Sequence, residues 1–150
     1  MVPIAPGVGL TKVRRIDHPN GNILHALKSS ETSFVSFGEA YFSQIMPNCI
    51  KGWKKHTEMT LNIVVPVGDI KFYFAAEIEQ SYEPLGHISI GDLNYQRLTI
   101  APGVWIAFEC LSSDPAMLLN IASIEHDPNE AINMDLKKIP LSDKALLLDS

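Results

Sequence analysis

Cysteine is scarce, with only Cys49 and Cys110 in 150 residues. Two cysteines cannot build a disulfide framework and their spacing is not that of a zinc site, so they read as small core residues of a reduced, cytoplasmic protein. No stretch approaches the ~18 uninterrupted apolar residues of a membrane helix, and MVPIAPGVGL lacks a basic leader ahead of a long apolar run. Neither membrane spanning nor secretion is therefore expected. Positive charge is short too: 12 Lys and Arg face 17 Asp and Glu, for a net charge of -5. That balance leaves no basic surface for nucleic acid, so any phosphate must be met by local cations. Internal repeats and Gly/Ser or Pro-rich linkers are missing, and a single domain over 1–150 is the expectation. Helical periodicity is confined to NMDLKKI (133–139) and the tail SDKALLLD, where Ser142 or Asp143 could cap a last turn and Leu146, Leu147 and Leu148 read as a docking segment.

What is present is an ordinary globular composition, 46% apolar and 19% charged, cut into strand-sized pieces. Breakers fall at PNGN (19–22), MPN (46–48), PVGD (66–69), EPLG (83–86), APG (101–103), SSDP (112–115) and HDPNE (126–130). Between them runs period-two alternation. Ile70, Phe72 and Phe74 oppose Lys71 and Tyr73; Val104, Ile106 and Phe108 oppose Trp105 and Glu109. LNIVV (61–65) and AMLLNIASI (116–124) are more continuously apolar, as strands covered on both faces would be. The expected class is all-β, a sandwich or barrel with few short helices.

The chemistry-bearing stretch is GWKKHTEMT (52–60). Strand alternation puts Gly52, Lys54, His56 and Glu58 on one face and Lys51, Trp53, Lys55 and Thr57 on the other. A lysine beside a histidine in a barrel mouth would disfavour the imidazolium, and neutral imidazole is what a general base requires. A solvated strand with an incidental histidine fits the same residues. Trp53 and Trp105 are suited either to stacking on a ligand or to filling a barrel. His18, His25 and His87 have no partner at useful spacing.

The run IKGWKKHTEMTLNIVVPVG, followed by GDLNYQRLTIAPGVWIAFECL and LLNIASIEHDPNEA, resembles the dTDP-4-dehydrorhamnose 3,5-epimerase family of cupins over roughly residues 37–135. The resemblance implies a cupin-type jelly roll, usually a homodimer, holding a nucleotide-linked 4-keto-6-deoxy sugar, with dTDP as the nucleotide. The implied chemistry is proton removal beside the ketone. It calls for a base on one face, a polar or cationic group for the enolate oxygen, and an acid on the opposite face. No metal or organic cofactor is implied, because the ketone itself is the electron sink.

Carried over by position, Lys51 stands at the family's phosphate-binding Arg, and Gln44 of YFSQ lies in the segment that helps hold the nucleotide. Lys54 occupies the position of the family's base, with His56 one strand repeat further along the same face. His126 of HDP takes the place of the tyrosine acid, with a reference pKa near ~6.5 instead of about 10. Asn94 and Arg97 align with the segment leading into the Pro-Gly strand, where Arg97 could meet a pyrophosphate; Trp105 follows that turn. Ile106 replaces a family histidine, and Phe72 and Ala76 replace acidic residues. The expected function is a metal-independent epimerase or ketoisomerase with Lys54, His56 and His126 as catalytic candidates and Lys51, Gln44, Asn94, Arg97 and Trp105 as substrate contacts. Two readings compete with it: a cupin that binds sugar nucleotides without turnover, and a metal-dependent cupin enzyme, which the loss of histidines at 54 and 106 disfavours.

Overall fold

A computed structural model describes residues 1–146. In chain order its strands are β1 (Val2–Ala5), β2 (Val8–Lys12), β3 (Arg15–Ile16), β4 (Ile23–Leu24), β5 (Glu39–Ile45), β6 (Ile50–His56) and β7 (Leu61–Val67). There follow β8 (Asp69–Ile78), β9 (Ser81–Gly91), β10 (Gln96–Ile100), β11 (Trp105–Cys110), β12 (Ala116–Ala122) and β13 (Ala131–Asn133), then a single 3-10 turn at Leu136–Lys138. The long strands form two antiparallel sheets, β1-β2-β10-β7-β12-β5 and β13-β6-β11-β8-β9. This is an all-β jelly roll, the class the breaker spacing and alternation lead one to expect. The 133–139 stretch holds the last residue of β13 and that short turn, and no α-helix.

The alternation at 70–74 and 104–108 determines which sheet face is dry. Ile70, Phe72, Phe74, Val104 and Ile106 enter the main core between the sheets, with Phe108 packed against it. Tyr73, Trp105 and Ala107 form a second cluster on the outer face with Trp53 and Ile139. Each fully buried aliphatic or Phe side chain contributes about 1.5–3 kcal/mol, so this partition fixes the pleat of β8 and β11. Every residue of 61–65 is buried as expected, with Asn62 reaching across to the Ser33 carbonyl. In β12 burial alternates: Ala116, Leu118, Asn120 and Ala122 are buried, while Met117, Leu119 and Ile121 are half-buried.

Two turns differ from expectation. EPLG is no break but lies inside β9, where the pairing skips from Phe74↔Gly86 to Ala75↔Pro84. Leu85 is the bulged residue, and Pro84 is tolerated because β9 is an edge strand. The β8–β9 hairpin turns instead at Glu79 and Gln80, which both take positive φ, 48° and 69°, as the tightest hairpins require. Cys110 is buried as expected, whereas Cys49 is exposed ahead of β6. Leu146 packs on the main core of its own barrel; Leu147 and Leu148 lie outside the described residues.

Candidate active site

Between the two sheets lies a cavity of about 450 Å³. One wall is Tyr41 and Ser43 of β5, Leu118 and Asn120 of β12, and Leu61 and Ile63 of β7. The other carries Lys51, Gly52, Lys54 and His56 of β6, with Ile106 and Phe108 of β11, Phe72 and Asn133. The base is apolar and the polar groups converge from both sides, the usual build of a small-molecule site.

Strict alternation would send Lys51 away from Lys54. The pairing of β6 with β11 shows why it does not: Phe108 opposes Lys51, Ala107 opposes Gly52 and Ile106 opposes Lys54, so Trp53 is an extra residue. This bulge returns Lys51 to the cavity face. It depends on Gly52, whose φ is +140° and where a Cβ would lie 2.6 Å from the Ala107 Cβ. The displaced Trp53 is buried in the outer cluster and donates through Nε1 to the carbonyls of Leu136 at 3.1 Å and Ile139 at 3.2 Å.

His56 closes the inner end of the lysine-bearing strand. Its Nδ1 is hydrogen-bonded to Glu130 Oε1, and its Nε2 has no protein partner among the described residues. Glu130 follows the HDPN turn and leads into β13, whose Ala131 pairs with His56. Its Oε2 accepts from the amides of Thr57 at 3.1 Å, Glu58 at 3.0 Å and Met59 at 3.1 Å, and the Thr57 hydroxyl donates to its main-chain carbonyl. Burial by itself would raise the Glu130 pKa, but the His56 bond and the Glu58 and Met59 amides outweigh it and hold it below the ordinary 4.5. An ionised carboxylate accepting from Nδ1–H fixes the tautomer whose Nε2 lone pair is free. Glu130 was not singled out from the sequence. Its only signal is an acidic residue ending a turn, and its meaning depends on β13 pairing with β6.

The charge of the cavity opposes that of the chain. Lys51 and Lys54 line it and no carboxylate does among the described lining residues, although the net charge is -5. Lys51 Nζ donates to the Gln44 carbonyl at 2.7 Å and lies over the Phe108 ring. Lys54 is exposed and makes no hydrogen bond or ion pair among the described residues. Low-dielectric walls around two ammonium groups concentrate positive potential at the mouth.

The structure thus brings together Lys51, Lys54 and His56, and leaves the other expected site residues elsewhere. Gln44 is exposed and alternates with Ser43, so its side chain faces away; only its carbonyl serves the cavity through Lys51. Arg97 is 1% exposed and binds the Ala26 carbonyl, Glu31 Oε2 and Ser33 Oγ at 2.7, 2.5 and 2.6 Å. It clamps the segment before β5 to β10 and is spent there. Asn94 sits in the β9–β10 turn and donates to the Ser89 carbonyl. Trp105 faces the outer cluster, against Tyr82 and under Lys55, which also pairs with Glu77 at 2.6 Å. His126 is exposed in the loop after β12, outside the cavity lining. Tyr41, Asn120 and Asn133 line the cavity without having been singled out. No group of three or more His, Cys, Asp or Glu is placed to hold a metal ion among the described residues, and no described helix is long and apolar enough to cross a membrane.

Solved structures bear on this geometry. A dTDP sugar isomerase from Desulfovibrio desulfuricans G20 is 32% identical, with 95% of this chain and 94% of that chain covered and a TM-score of 0.84. A dTDP-4-dehydrorhamnose 3,5-epimerase from Sulfolobus tokodaii (18% identity, 95% and 85% covered, TM-score 0.77) and a sugar 3,4-ketoisomerase from Thermoanaerobacterium thermosaccharolyticum in complex with TDP (19%, 84% and 87%, TM-score 0.68) share the fold. No family model matches the chain, and no curated protein sequence matches it.

Proposed function

Because the chain belongs to the dTDP-sugar isomerase and epimerase family of cupins, we propose that it is a metal-independent isomerase of a nucleotide-linked 4-keto-6-deoxy sugar, with His56 as the base. The observation that carries this reading is the His56–Glu130 pair at the cavity wall. In the proposed step the Nε2 lone pair takes the proton beside the ketone, the C–H electrons move into the carbonyl, and Lys54 offers its ammonium to the developing enolate oxygen. Lys51, at the outer part of the same strand, meets the diphosphate as a point charge. The donor set favours acid–base chemistry over metal chemistry: the cavity wall has one imidazole, and the carboxylate behind it is already engaged by three amides.

A thymidine nucleotide is supported by the similar proteins, a dTDP sugar isomerase, a dTDP-4-dehydrorhamnose 3,5-epimerase and a ketoisomerase in complex with TDP. A homodimer accords with exposed apolar residues on and near β5, including Val35, Phe37, Phe42 and Met46. Incubating the protein with TDP-4-keto-6-deoxyglucose in heavy water tests the reaction. Deuterium appearing at a carbon next to the ketone supports it. A thermal shift with the nucleotide sugar but no exchange selects instead a cupin that binds without turnover.

A further inference from the structure

The wall facing His56 carries one ionisable group, Tyr41, and its surroundings are built around it. Tyr41 pairs directly with Asn120 across β5 and β12, and Asn120 Nδ2 donates to the Tyr41 hydroxyl oxygen at 3.1 Å. The phenol therefore acts as acceptor in the protein, and its own proton has no partner among the described residues. Asn120 is 1% exposed, and its Oδ1 is buried without any hydrogen-bond partner. A buried amide oxygen left bare costs about 1–3 kcal/mol, and Asn120 carries that cost at the cavity wall beside Ser43 and Tyr41.

We infer that Tyr41 is the acid of the reaction and that Asn120 is its positioning residue, so that the enzyme inverts a sugar centre between its two sheets. The inference rests on the isomerase reading above. A ring held in the cavity turns one face to β6 and the other to β5. His56 Nε2 removes the proton from the first face, breaking C–H and leaving an enolate. The Tyr41 O–H bond then breaks as a new C–H bond forms on the opposite face, giving the inverted ketone. The tyrosinate regains a proton from solvent, and the His56 imidazolium releases its own. Asn120 keeps the phenol oxygen as acceptor, so the O–H points toward the ring.

The experiment follows a dTDP-4-keto-6-deoxy sugar by proton NMR in heavy water with wild type, Tyr41→Phe and Asn120→Asp. The aspartate would accept the phenol proton instead of donating to it. Both variants are expected to form inverted product at least about 100-fold more slowly, the scale of a lost general acid. Deuterium incorporation with retention at the same carbon should stay within about threefold of wild type, a split that mere structural damage would not produce. Inversion by Tyr41→Phe at the wild-type rate overturns the assignment. So does wild-type exchange that yields only carbonyl migration without inversion, and that result leaves the isomerase reading standing. No exchange by wild type at all overturns both.

Discussion

Replacing Glu130 by glutamine should separate the catalytic role of this residue from its structural one. The carboxylate accepts three amide bonds at 3.1, 3.0 and 3.1 Å. Bonds to a charged acceptor are worth about 1.5–3 kcal/mol and neutral ones about 0.5–1.5, so neutralising the oxygen removes roughly 3 kcal/mol in gross terms. Relief from burying an ion returns part of this, leaving a net loss of about 1–2 kcal/mol. At roughly 2–4 °C per kcal/mol for a chain of this size, Tm should fall by about 2–8 °C. Activity should fall much further. The amide oxygen stays with the backbone donors, its NH2 faces His56, and Nδ1 must become the acceptor. The ring proton then moves to Nε2 and the base is lost, for a drop of about 10²–10⁴-fold. The pH dependence has a definite sign as well. With its pKa held below 4.5 in the fold, Glu130 stabilises at neutral pH, and that stability is lost as pH falls below 4.5 through the folded value. Glu130→Gln should lack this acid limb in urea unfolding. A folded variant with wild-type exchange would refute the tautomer argument.

Other substitutions divide the remaining roles. Arg97→Met should cost about 2–4 kcal/mol in urea denaturation, since it strands the half-exposed Glu31 and two further acceptors. It should leave the Kd for TDP unchanged, contrary to a pyrophosphate contact. Lys51→Gln should raise that Kd about tenfold and flatten its salt dependence in calorimetry, the effect of losing one charge-assisted contact. Phe42→Lys, on the outer face of β5 where Phe42 is 63% exposed, should convert a dimer to monomers in sedimentation.

Much of the fold was legible because periodicity is a local signal. Ile70, Phe72 and Phe74 alternate with outward residues, and Gly68 and Gly103 mark real turns with φ of 82° and 93°. The Glu79–Gln80 turn was invisible because neither residue advertises positive φ, and Pro84 marked a bulge where a break was expected. Of the cavity lining, the lysines and His56 stood out in the sequence, but not the registry that unites them. Only the Trp53 bulge puts Lys51 on the cavity face. Glu130 meets His56 across 74 positions of sequence, through a pairing of the short strand β13 that no local pattern announces. Arg97 read as a pyrophosphate contact because the sequence does not reveal that residues 26–33 fold over it.

The most direct test of the account compares His56→Asn with wild type on TDP-4-keto-6-deoxyglucose in heavy water, alongside titration of each with TDP. The account predicts TDP affinity within about threefold of wild type and loss of deuterium incorporation by at least about 100-fold. Incorporation by His56→Asn at the wild-type rate would contradict it.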